Sequence, residues 1–184
     1  RENIIRAYDR AAEHLFSDKT SFTEYLDFSG RFYKMPSSQV IMLFDDNPNA
    51  TMVADYETWQ RFGRKIKVGG WSTDVLSGGE IKRLFDISMT KGENIPYQWT
   101  LNKKIAEEFV NRLSKAENRN FTGMSDCIYH LAVNSVMERI EDIKGSLDII
   151  DINVNDEATF RKSFASMVRR VVAARCEWNS DFTY

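Results

Sequence analysis

The sequence predicts an α+β fold in which helices at both ends frame a small antiparallel sheet. Apolar residues recur at steps of three and four up to about residue 50 and again beyond residue 100, but they alternate with polar residues in between. Glycine pairs concentrate in that middle segment, as expected where strands are joined by turns. Segregated helices and strands are typical of the α+β class. Because 42% of the 184 residues are hydrophobic, we expect one domain over residues 1–184.

Three helices are expected before residue 50. The first covers residues 2–16, where the apolar spacing is that of an amphipathic helix. The second lies within residues 17–33, with Thr20 or Ser21 as its capping residue. A third, short helix is expected over residues 38–46.

The middle segment predicts short strands and one short helix. The helix covers residues 55–63, with Asp55 as its cap and Gly63 as its end. The expected strands are residues 51–54, 64–68, 71–76 and 81–88. Helical spacing then returns over residues 101–117, 124–144 and 157–174.

The strand expected at residues 64–68 carries alternating lysine and apolar side chains. Successive side chains of a strand point to opposite faces, so we expect Ile66 and Val68 to be buried and Lys65 and Lys67 to be exposed. A shift of one residue would place two charged lysines in the core at a cost of several kcal/mol each.

Positive charge is concentrated in the middle third of an otherwise slightly acidic chain. Residues 61–120 contain 12 Lys and Arg against 7 Asp and Glu, whereas the net charge of the whole chain is −2. An asymmetry of this kind indicates a local anion-binding surface.

Cations and aromatic rings lie close together in the basic segment. The cations neutralise phosphates and the rings stack on bases, which is the combination that single-stranded nucleic acid requires. The candidate nucleic-acid-binding residues are Tyr56, Trp59, Arg61, Arg64, Lys65, Lys67, Trp71, Lys82 and Arg83. Two other interpretations stay open at this point. Trp59 is also suited to the core, and alternating lysines also guard a strand edge against aggregation.

No catalytic residue, metal ligand or cofactor site is expected. The chain lacks the HExxH, GxSxG, GxxxxGK[ST] and GxGxxG motifs. Its two cysteines are far apart and have no CxxC spacing, which argues against a disulfide framework or a structural zinc site. No run reaches the roughly 18 apolar residues of a membrane span, so we expect a cytoplasmic protein without membrane contact.

The segment NPNATMVADYETWQRFGRKIKVGG, residues 47–70, resembles the signature of the ArdC-type N-terminal domain. In that signature a Pro-x-Ala-Thr segment leads to a Tyr-x-x-Trp turn, a Gly-Arg pair and a basic strand. Weaker similarities extend the resemblance to about residues 22–177. The positions that fall on the motif are Tyr56, Trp59, Gly63, Arg64, Lys65 and Lys67.

The resemblance implies a function in mobile genetic elements. Domains of this type are the presumed single-stranded-DNA-binding part of antirestriction proteins of conjugative plasmids and phages. They also begin large polyvalent proteins in which helicase or DNA-methylase modules follow. We therefore expect residues 1–184 to be a piece of a longer protein and to bind single-stranded DNA without catalysis. The alternative is a protein-interaction domain that recruits the enzymatic modules of a larger polypeptide.

Overall fold

The structure, a computed structural model, describes residues 2–97, 101–139, 142 and 157–176 and has the α+β architecture that the sequence predicts. The chain divides into two compact units, Arg1–Trp99 and Thr100–Tyr184. Buried apolar clusters lie within each unit, where the sequence favoured one sizeable core. A single ArdC-like domain over the whole chain stays a prediction.

Three helices pack together at the start of the first unit: α1 (Glu2–Ser17), α2 (Lys19–Arg31) and α3 (Ser37–Asp46). Their apolar faces form a core around Phe28 and Leu43, each 2% exposed. The cap of α2 is Asp18 rather than Thr20 or Ser21, because the Asp18 carboxylate accepts a hydrogen bond from the Ser21 amide at 2.8 Å.

Five short strands, one α-helix and one short 3-10 helix follow in the first unit. They are β1 (Val53–Ala54), α4 (Tyr56–Arg61), β2 (Lys65–Ile66), β3 (Thr73–Ser77), β4 (Glu80–Asp86), the 3-10 helix (Ile87–Met89) and β5 (Thr90–Lys91). One antiparallel sheet has the order β1-β4-β3, and β2 pairs with β5 in a second, two-stranded sheet. The prediction that residues 64–68 and 81–87 share one sheet is therefore wrong.

The predicted burial of Val68 is also wrong, because β2 ends at Ile66. The Lys67 carbonyl accepts a hydrogen bond from the Gly70 amide at 2.9 Å, and Gly69 between them has a φ of 75°. This turn places Val68 at a corner, where its side chain is fully exposed. Ile66 is half-buried, whereas Lys65 and Lys67 are exposed as predicted.

The second unit contains three helices in its described residues: α5 (Lys103–Ala116), α6 (Met124–Glu138) and α7 (Glu157–Arg175). Its core includes Ala106, Cys127 and Ile128. The helix predicted over residues 124–144 is present as α6, but it ends at Glu138, with Arg139 as its C-cap. Residues 140, 141, 143 and 144 of that prediction lie outside the described residues.

The carboxylate of Asp86 holds the start of β1 against the end of β4. It is buried, with Oδ1 accepting hydrogen bonds from the amides of Thr51 at 2.8 Å and Met52 at 3.1 Å. Its Oδ2 accepts from the Ser88 amide at 2.9 Å. Burial favours the neutral acid, but the bonds from Ser88, Thr51 and Met52 together outweigh it and lower the pKa of Asp86 below its ordinary value.

We expect Asp86→Asn to lower the free energy of unfolding by about 1–3 kcal/mol at pH 7, because an amide cannot accept all of these bonds. The lowered pKa stabilises the fold above the unfolded-state value of roughly 3.9, and this contribution is lost as the pH falls through the folded-state pKa. The measurement is urea unfolding of both proteins at pH 7 and at low pH. A difference between them that does not shrink at low pH would contradict this role of the carboxylate.

Candidate nucleic-acid interface

The end of α4 fixes the direction in which the basic segment leaves the helix. The Gly63 amide donates to the Gln60 carbonyl at 2.8 Å, and the Arg64 amide donates to the Trp59 carbonyl at 2.9 Å. These two bonds form a Schellman motif, in which Gly63 adopts the positive φ of 70° that glycine favours. Arg64 is therefore the first residue of the segment that leads into β2.

Arg64 lies in the interior of the first unit with 7% of its surface exposed. Its Nε donates to Thr90 Oγ1 at 2.7 Å, and its Nη1 donates to the carbonyls of Gly92 at 2.6 Å and Asn94 at 2.8 Å. The guanidinium also lies 5.9 Å from the centre of the Trp59 ring. Arg64 thus joins the end of α4 to β5 and the segment after it, and its burial argues against a direct phosphate contact.

Trp59 is a core residue and not a stacking platform. It is 1% exposed, and its Nε1 donates to the Phe85 carbonyl at 2.8 Å. Of the two interpretations that the sequence left open for Trp59, the structure confirms burial in the core.

The remaining cations of the first unit's basic segment are exposed. We call the following five the basic surface: Arg61, Lys65, Lys67, Lys82 and Lys91. Lys67 Nζ donates to the Ser88 carbonyl at 2.6 Å, which fixes its ammonium beside the turn. Arg83 is left out because its Nε donates to Asp74 Oδ1 at 3.0 Å in an exposed ion pair, so its charge is already countered.

Asp55 lies within electrostatic reach of two cations of the basic surface. Hydrogen bonds from Thr58 are the main reason that its pKa is lowered, and the charges of Lys82 and Arg61 lower it further. Asp55 is also the cap of α4, accepting from the Thr58 amide at 2.8 Å as the sequence predicts. Lys82 of β4 and Arg61 of α4 therefore both lie within electrostatic reach of the same carboxylate.

Two lysines face each other across the second sheet. Lys65 of β2 is the direct partner of Lys91 of β5 in an antiparallel ladder of two residue pairs. Like charges directly opposite each other destabilise a strand pair. An anion bound between them would remove that repulsion. The sequence analysis missed Lys91 because the strand that carries it is only two residues long and shows no alternation.

Two aromatic side chains predicted for the interface are accessible. Tyr56 at the start of α4 is 52% exposed and accepts a hydrogen bond from Gln60 Nε2 at 2.8 Å. Trp71 is 43% exposed and directly follows the turn that carries Val68. An exposed ring beside lysines can stack on an unpaired base.

A groove of about 300 Å³ lies in the first unit on the side of α4 that carries Thr58, Trp59 and Phe62. The end of α2 and the segment after it also line the groove and bring Arg31 and Lys34 to it. Sequence reasoning missed this feature, because the two cations are about 30 residues from the basic segment in the chain.

The comparisons with known proteins leave the resemblance as a prediction. No protein-family model, curated protein or solved structure matches this chain. Within the described part of the chain, no helix is long and apolar enough to cross a membrane. The same residues contain no group of three or more His, Cys, Asp or Glu side chains arranged to hold a metal ion.

Replacement of Arg64 is expected to destabilise the first unit without any contact to a ligand. Arg64→Ala removes three hydrogen bonds from a charged donor and should lower the free energy of unfolding by about 2–3 kcal/mol. The control is Arg61→Ala, at an exposed position, where a change within about 0.5 kcal/mol is expected. Chemical unfolding measures both variants. Equal effects would show that Arg64 does not hold the segment in place.

Proposed function

We propose that this chain is a non-catalytic single-stranded-DNA-binding module of a mobile-element protein related to the ArdC-type domain. The observation that carries the proposal is the exposed Lys65–Lys91 pair, in which two like charges are held opposite each other on paired strands. Phosphate groups supply the negative charge that this arrangement lacks.

Single strands suit this surface better than a duplex. The rings of Trp71 and Tyr56 are exposed in the same segment of the chain as Arg61, Lys65 and Lys67, and they can stack only on bases that are not paired and stacked within a helix. The helix beside the basic surface, α4, has only six residues and carries Asp55 and Glu57 at its start. Such a short helix with acidic residues is a poor match to the major groove of DNA.

The experiment is fluorescence anisotropy of a labelled oligothymidine at several salt concentrations. With Arg64 buried and Arg83 paired, the five cations of the basic surface are available to phosphates. The slope of log K against log salt should then be about −3.5, since each contact to a single strand contributes roughly −0.7. Undetectable binding at low salt would overturn the proposal and favour a protein-interaction domain, whose basic surface meets an acidic protein.

Lys65→Glu separates binding from stability. The new carboxylate lies opposite Lys91, so a repulsive pair becomes an attractive one and the free energy of unfolding should rise by about 0.2–1 kcal/mol. Binding of the oligothymidine should nevertheless weaken, with a salt slope that is less steep by roughly 0.7.

Lys19→Glu is the matched control for this variant, because it makes the same charge change at an exposed position at the start of α2. It should leave the salt slope close to that of the wild type. If Lys65→Glu and Lys19→Glu weaken binding equally, net charge rather than the basic surface determines affinity.

A further inference from the structure

The groove beside α4 combines an apolar wall with exposed aromatic rings. Trp59 lies in α4 and Phe62 is the C-cap of that helix; Phe62 is 41% exposed, and its ring centre is 6.3 Å from that of Trp59. Met35 and Tyr33 also line the groove, and Tyr33 is 54% exposed. A volume of about 300 Å³ is at the lower end of the range for ligand sites, roughly 300–1,000 Å³. The groove therefore has room for one small planar group.

The charge of the groove is entirely positive. Arg31 and Lys34 line it, and none of the described lining residues is acidic. Lys34 Nζ lies 5.6 Å from the centre of the Tyr33 ring, and Arg31 Nη1 donates to the Ala50 carbonyl at 3.1 Å, next to the segment that leads into β1. A ligand that places an apolar ring in the groove and a negative charge at its mouth would match both features.

The backbone of β1 adds a donor and an acceptor. β1 is an edge strand, and the Ile87 amide donates to the Met52 carbonyl at 2.8 Å. Val53, the next residue, lies opposite Asp86. Because alternate residues of an antiparallel strand bond to opposite sides, Val53 turns its N–H and C=O away from β4, to the edge of β1 where no other strand pairs among the described residues, and Val53 lines the groove. One donor and one acceptor side by side match the polar edge of a nucleobase.

We infer that this groove binds one unpaired nucleotide of a single-stranded nucleic acid, with the base between Phe62 and Tyr33 and the phosphate at Arg31 and Lys34. This inference rests on the proposed function and adds to it a place for one base. Phe62 directly follows Arg61 of the basic surface in the chain, so a strand bound along that surface reaches the groove at α4. An acidic peptide would also satisfy the charges, but the two exposed rings and the small volume favour a base.

The test compares two labelled strands with the same number of phosphates, an eight-residue oligothymidine and an eight-residue abasic strand. Anisotropy at low salt gives both dissociation constants for each protein. Phe62→Ala should weaken oligothymidine binding by about fivefold or more and leave abasic-strand binding unchanged, because a stacking contact to a base is lost. Tyr33→Ala, at a more exposed position, should act in the same way and provides a second variant if Phe62→Ala folds poorly.

Two further variants distinguish the contribution of the phosphate contact from that of the base contact. Lys34→Gln should weaken both strands by the same factor and make the salt slope less steep by roughly 0.7. Phe16→Ala is the control for loss of an exposed phenylalanine, since Phe16 is 66% exposed on α1 and does not line the groove. It should change neither dissociation constant.

The outcomes distinguish this inference from the proposed function. If the two aromatic variants keep the wild-type preference for oligothymidine while Lys65→Glu still weakens both strands, the groove does not bind a base but the basic surface does bind DNA. If the wild type binds neither strand at low salt, both proposals fail. The inference would also be overturned if the wild type bound an oligoglutamate peptide, Lys34→Gln abolished that binding, and the wild type showed no preference for oligothymidine over the abasic strand. The groove would then bind a protein partner.

Discussion

The buried guanidinium of Arg64 is the interaction on which the arrangement of the basic segment depends. A buried charge is costly unless its hydrogen bonds are satisfied, and here three oxygens and one indole ring surround it. No salt bridge to Arg64 is found among the residues that the structure describes. The oxygens come from Thr90, Gly92 and Asn94, so a single side chain ties the end of α4 to β5 and the segment that follows it. The other links in this region are weaker or more exposed: the two-residue ladder between β2 and β5, the Lys67 amide bonded to the Met89 carbonyl at 2.9 Å, and the Asn94 side-chain amide bonded to the Phe62 carbonyl at 3.1 Å.

The positions of the exposed cations follow from this anchor. The Schellman motif ends α4 at Gly63 and directs Arg64 inward, so the alternation of β2 turns Lys65 outward. β5 then places Lys91 directly opposite Lys65. The fold thus holds Lys65 and Lys91 opposite each other, and the buried Arg64 bonds the start of β2 to β5 and the segment after it. This division between a structural arginine and surface lysines agrees with their chemistry, because the planar guanidinium makes several directed bonds and the ammonium is strongly hydrated.

The sequence predicted the elements better than their pairing. Hydrophobic spacing placed the helices correctly, and the cap at Asp55 and the end at Gly63 were evident because their chemistry is local. The partner of β2 could not be predicted, because two-residue strands carry no periodic signal and β5 had no signal of its own. Val68 was assigned to the core on alternation alone, but the turn at Gly69 ends the strand before that residue.

The candidate site was predicted in part for the same reason. Local composition identified the basic segment, but it assigned both Arg64 and Lys65 to phosphate binding. The burial of Arg64 could not be predicted, because its partners Thr90 and Asn94 are about 30 residues away in the chain. Arg31 and Lys34 were missed because only tertiary packing brings them beside α4. Contacts between distant parts of the chain therefore decide which cations are available to a ligand.

An NMR titration of ¹⁵N-labelled protein with unlabelled oligothymidine shows whether the basic surface binds DNA while Arg64 remains part of the fold. We expect the largest shifts at the amides of Lys65, Val68 and Lys91, and an Arg64 Nε–H signal that stays slow to exchange and nearly unchanged. Loss or a strong shift of the Arg64 signal on binding, or the largest shifts in α5, α6 or α7, would show that this division of roles is wrong.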